Sequence, residues 1–194
     1  PLITVNSLGA NKPAQGLSWN EAARFVNWLN TSRSFSAAYK FTSGGASDNI
    51  ALWAAGEEGY DPANPFRNSK AHYFLPSEDE WYKAAYYAGS DSYYDYPAGS
   101  DTQTACATPS ATPNTANCNV VVYDLTDVGS YTGSASPYGT FDQGGNATEW
   151  TETHDTNPEL RRIRGGAFGQ HAKGVDYFDA AIPTHHHAQA GFRV

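Results

Sequence analysis

The chain contains no methionine and only two cysteines, carries charge on 16% of its residues, and has neither a cluster of lysine and arginine nor an apolar run of membrane length. Each absence excludes something. With a net charge of −8 and no basic patch, the electrostatic term that drives binding to a phosphate backbone is missing, so nucleic acid is not an expected partner. No stretch approaches the roughly 18 apolar residues that a transmembrane helix needs, so no membrane span is expected. No zinc ligands sit at the required spacing beside the cysteines. No internal repeat and no second domain are visible. A chain that opens at Pro1 without any Met is expected to follow a segment that lies outside this sequence, so its first residues are silent about export.

What is present is glycine, proline and aromatic residues. Eighteen Gly, 11 Pro, 13 Tyr and 5 Trp among 194 residues describe a loop-rich α+β domain that packs rings over closely approaching backbone. A chain of this length can bury roughly 70% of its unfolded surface, enough for one core spanning residues 1–194. Ser18 to Glu21 and Ser77 to Glu80 each have the form of a capping box and predict two helices. The first carries an apolar stripe of Ala22, Phe25, Val26 and Leu29 and ends near residues 30–32. The second carries Trp81, Ala84, Ala85 and Ala88 and stops at Gly89. Residues 41–70 and 89–119 read as long surface loops, with residues 50–55 a short turn of structure in the first. The row of β-branched residues at 120–122 makes Asn119 to Tyr123 the strongest strand candidate, and short strands are expected at 161–164 and 191–194. Cys106 and Cys118 lie in the second loop, and an even count there favours a disulfide of an exported protein over two free thiols. The tyrosines at 86–87 and 93–96 read as packing, with a sugar-stacking platform as the alternative.

Five blocks stand in order along the chain: GLSWNEAARFVNWLN (16–30), FLPSEDEWYKAAYY (74–87), VGSYTGSASPYGTFDQGGNATEW (128–150), RGGAF (164–168) and the terminal GFRV (191–194). This series resembles the sulfatase-modifying-factor family, the formylglycine-generating enzymes and their relatives, whose domain is a variant of the C-type lectin fold. It is most similar to the branch found in exported bacterial proteins. The resemblance implies an α+β domain with two main helices and short antiparallel strands, with the family's N-terminal strand and first helix lying before Pro1. It also implies a structural calcium held by the side chains of Asp142 and Glu149 and the carbonyls of Gly145 and Ala147. That donor set suits a hard cation, because a glycine-rich turn lets carbonyls converge between two carboxylates. The alternative is that Asp142 caps a turn while Glu149 pairs with Arg162 or Arg164. Asn117 matches a ligand of a second calcium site whose other partners do not align.

The enzymatic relatives hold copper with two cysteines shortly after the RGG block, and the matching positions here are Gln170 and Val175. Neither can act as a thiolate toward Cu(I), so the resemblance implies a domain without that chemistry. The sequon Asn146-Ala147-Thr148 falls inside the glycine-flanked turn, where a glycan has no access. His185 and His187 alternate in a way that could face a transition metal, with His171 a third candidate, against the plainer reading of a polar loop. Between the fixed blocks RGGAF and GFRV lies a tract poor in large aliphatics, the pattern of a rigid frame displaying exchangeable side chains. It resembles the variable region of ligand-binding proteins diversified by retroelements. The expected function is a secreted or cell-surface bacterial binding module for a protein or glycan, with a pocket of Phe168, Gln170, His171, Asp176, Tyr177, His185, His186 and His187. A copper or non-haem iron oxidoreductase and a self-assembling structural subunit are the alternatives.

Overall fold

The computed structural model of the chain describes residues 9, 11–42, 50–157 and 159–194. Two helices carry the regular structure. Helix α1 (Trp19–Thr31) starts at Ser18 and α2 (Glu78–Tyr86) at Ser77, each with both halves of its capping box formed. The serine oxygen takes the N3 amide and the N3 glutamate reaches back to the cap, so two orphan donors are satisfied at each start. Short strands fill the rest: β1 (Lys40–Phe41), β2 (Ile50–Ala51), β3 (Tyr87–Gly89), β4 (Ser92–Tyr93), β5 (Ala105–Cys106), β6 (Thr115–Ala116), β7 (Thr148–His154), β8 (Arg161–Arg164), β9 (Phe178–Ala181) and β10 (Ala190–Gly191).

The organising element is a four-stranded sheet in the order β10-β7-β8-β9. Its central strand β7 is buried from Thr148 to Glu152, since α1 packs on it from one side and α2 comes close on the other. The main core joins Trp19, Ala22, Ala23 and Val26 of α1 to Tyr39, Leu75, Trp150, Ile163 and Ala190. A smaller cluster gathers Trp81, Ala85 and Tyr86 of α2 with Val175 against it. Two hydrogen bonds fix the layers: Trp19 Nε1 donates to Thr151 O at 2.9 Å, fully buried, and Trp150 Nε1 to Leu17 O at 3.1 Å. The large rings bury apolar area while their N–H groups remain paired, which is what permits Trp in a dry core.

Several expectations are corrected. Residues 119–123 form no strand. Asn119, Val120 and Tyr123 have positive φ (51°, 60° and 61°), and the amides of Asn119 and Val120 donate to Gln170 O and Phe168 O across a turn. Tertiary hydrogen bonds have overridden the β-branched preference. Helix α2 ends at Tyr86, and exposed Ala88 lies in β3 of a hairpin. The two-residue turn of that hairpin, Ser90 and Asp91, has positive φ at both positions, the geometry that matches strand twist. The terminal strand is Ala190–Gly191 alone, and it pairs with β7 in parallel, as β5 does with β6, so the strands are not all antiparallel. In the first expected loop, β1 and β2 pair, while residues 43–49 lie outside the described residues. The cysteines are bonded as Cys106–Cys118, and no free cysteine remains.

Candidate functional site

The block that suggested calcium folds into a charged centre beside β7. Glu149 is buried and its carboxylate accepts from Trp81 Nε1 at 2.6 Å. Arg193 then grips both oxygens of Glu149 through Nε and Nη2, and its Nη2 also donates to Phe141 O at 3.0 Å. The fork matches a planar carboxylate in a bidentate pair, the strongest arrangement available to these groups. Asp142 sits nearby, its Oδ2 accepting from Gly129 N at 2.7 Å. Burial pushes its carboxyl above the ordinary range, with the like charge of Glu149 adding and Arg193 opposing. Arg162 and Arg164, the partners considered for Glu149 in the sequence, instead clasp Glu78.

The four expected calcium ligands divide between two cavities. Asp142 and Gly145 border one of about 20 Å³, room for a single water, together with Asn117. Asp142, Ala147 and Glu149 border another of about 210 Å³ with Arg193. A calcium ion needs six to eight oxygens around one point, whereas Glu149 already has a guanidinium on both of its oxygens. The set as a whole therefore fits an arginine clamp and does not fit calcium. Among the described residues no group of three or more His, Cys, Asp or Glu could hold a metal ion. Asn146 is buried and its Nδ2 donates to Thr126 O at 3.1 Å, which closes the sequon to glycosylation.

The residues of the expected binding pocket separate into three places. Asp176 and Tyr177 border an open cavity of about 580 Å³ together with Val175, Asp95, Tyr96 and Asp101. Phe168 and Gln170 belong to the turn that receives the amides of Val120 and Asn119, and His171 follows it, exposed. The histidines lie beyond β9, by the start of α1. His186 Nε2 is 3.0 Å from Glu21, His187 sits edge-on to Trp150, and His185 is exposed. Strand β9 runs between Tyr177 and this group, so the three histidines share no cavity with Asp176.

The open cavity is built by two turns tied to each other. Val175 N donates to Asp95 O at 2.8 Å, and Arg164 Nη1 reaches from β8 to Val175 O at 3.0 Å and Tyr177 O at 2.9 Å. Tyr96 and Ser100 bridge across the other turn. The walls carry three carboxylates, Asp95, Asp101 and Asp176, and two rings, Tyr96 and Tyr177. No ion pair among the described residues engages any of the three. A cation already rests on one ring: Lys173 Nζ lies 3.9 Å from the centre of Tyr177. Of this lining, the sequence singles out Asp176 and Tyr177 but not Asp95 and Asp101, which read as loop charge until the fold brings residues 95–103 against 174–177.

A loop-rich α+β scaffold with a small sheet, two capped helices and ligand-sized surface cavities is the class that this fold defines. The chain belongs to the sulfatase-modifying factor enzyme 1-like domain family, whose match runs over residues 4–194. Among solved structures, that of CarF is similar with a TM-score of 0.65 and 22% identity, over 96% of this chain and 68% of that one. Treponema denticola variable protein 1 matches with a TM-score of 0.63 and 19% identity, over 94% and 70%. PvdO from Pseudomonas aeruginosa matches with a TM-score of 0.51 and 17% identity, over 95% and 61%. At these identities the neighbours establish the fold alone. A search of curated proteins returns no match.

Proposed function

We propose that this chain is a non-catalytic binding module, exported or displayed at a bacterial cell surface, which takes a basic side chain of a protein partner in the cavity between residues 95–103 and 174–177. The carrying observation is the wall itself. Three carboxylates that enter no ion pair among the described residues line one cavity beside two tyrosine rings, and a lysine ammonium lies over one of those rings. Aromatic faces and carboxylates together suit an ammonium or guanidinium. Copper chemistry by a cysteine pair has no support in the residues: Gln170 and Val175 stand at the matching positions, and both cysteines of the chain are consumed in the disulfide. That disulfide supports an oxidising location. The likeness in fold to Treponema denticola variable protein 1 is in keeping with this reading.

The test is binding of the purified chain to Lys- and Arg-bearing peptides and to a neutral glycan set. Peptide binding that falls with rising salt, and weakens about tenfold in the double variant D101N/D176N, is the expected result. Glycan capture without peptide binding, or peptide affinity indifferent to both substitutions, overturns the proposal.

A further inference from the structure

We infer that Arg193 is the resident cation of the Asp142–Glu149 centre, doing there what the family resemblance assigns to calcium. The two carboxylates are brought together by the fold: Asp142 lies in the turn before β7, and Glu149 is the second residue of that strand. Glu149 is buried, Asp142 is half-buried, and both border one cavity with Arg193. Such a pair requires a compensating positive group. Strand β10 supplies one. Gly191 pairs with Glu149 in parallel register, and two residues further on, Arg193 lays its guanidinium along the carboxylate.

The approach depends on Gly191, because a Cβ there would stand 2.4 Å from Ala14 O. Glutamate's remaining hydrogen bond comes from Trp81 of α2. One cation thus joins the C-terminal segment, the central strand and α2 at a single point. A divalent ion bound to Glu149 would have to displace this arginine into a partly dry site beside its own charge, which places the two cations in competition.

Thermal melts of the full chain in millimolar calcium and in excess chelator test this, using wild type, E149Q and R193A. The expected result has two parts. Calcium shifts the melting temperature of wild type no more than it shifts that of E149Q, and R193A is less stable than wild type but gains more from calcium, because its two carboxylates are left without their cation. A calcium stabilisation of wild type that disappears in E149Q overturns the inference. So does an R193A variant as stable as wild type. If R193A does not fold, the comparison of wild type with E149Q decides; if E149Q does not fold, D142N replaces it as the second carboxylate.

Discussion

Replacing Tyr39 by Phe removes one oxygen from the centre of the molecule, and the structure says what that oxygen does. The phenol donates to Glu152 Oε2 at 2.9 Å and accepts from Leu75 N at 2.8 Å, both inside the core. Burial, followed by the neighbouring Glu152 charge, holds its pKa well above the ordinary 10, so it is a donor at every working pH. Its ring sits edge-on to Trp19, 5.2 Å between centroids, and Phe preserves that contact. The substitution therefore isolates the polar loss. Leu75 N–H loses its acceptor in a fully buried position, and Glu152 keeps the amide of Asn64 at 2.6 Å but loses its second donor.

A buried group left unpaired costs about 1–3 kcal/mol, and more when it is charged, so Y39F is expected to lose about 2–5 kcal/mol. For a domain of this size each kcal/mol lowers the melting temperature by about 2–4 °C, which gives a fall of roughly 4–20 °C. Urea unfolding with the disulfide intact measures it directly: the midpoint moves and the slope stays, since the same surface is exposed in both proteins. A loss below about 0.5 kcal/mol would refute the reasoning. It would mean that Leu75 N–H and Glu152 find other partners on a small relaxation, and that the buried network does not hold residues 64–75 to β7.

Three further outcomes follow from separate parts of the fold. The C106S/C118S double variant should lose about 3 kcal/mol through the freed loop, whose ends are 12 residues apart, as read by chemical unfolding with and without reductant; a wild type indifferent to reductant contradicts this. Glu80 is half-buried, which by itself raises its pKa, yet the hydrogen bonds from Arg67 override this and hold it below the ordinary 4.5. Its folded pKa is depressed, so its contribution is present above pH 4.5 and is lost as pH falls through the lower folded value; E80Q should therefore lower stability at neutral pH, where it removes that charge, and converge on wild type in acid, which flattens the stability curve across that window. Gly145 has its Cα so close to the segment after β6 that an added Cβ would lie 2.5 Å from Asn117 O, so G145A should destabilise by about 1–3 kcal/mol, while G144A, with only Pro97 carbons 3.5 Å away, should be tolerated in the same melt.

The parts of the fold that a linear reading captured are those set by neighbouring residues. Both helix starts were legible because a capping box lies within four positions, and the stripe of α1 because Ala22 and Val26 follow at helical spacing. The strand at 161–164 was legible for the same reason. The failures share the opposite cause. Val120 to Val122 have the composition of a strand, but the hydrogen bonds of that segment are decided by Phe168 and Gln170, nearly fifty residues away. Arg193 was named only as part of a terminal motif, since nothing at positions 191–194 reveals that a parallel register with β7 will set it on Glu149.

The candidate binding cavity shows the same limit in a sharper form. Tyr177 and Asp176 attract notice because they sit in a tract bordered by two recognisable blocks, whereas Asp95 and Asp101 lie in a stretch of Ser, Thr, Tyr and Pro that reads as ordinary loop. What makes them a wall is a pair of backbone contacts, Val175 N to Asp95 O and Arg164 to the carbonyls of Val175 and Tyr177. Those contacts use main-chain atoms of the wall and make no use of its side chains at 95, 176 and 177. The frame draws on the Asp101 carboxylate, which accepts from Asp95 N at 3.2 Å, and takes no hydrogen bond from the side chains of residues 95, 176 and 177 among the described residues. The cavity wall is therefore written in the spatial set of side chains that folding brings together and in no single run of sequence.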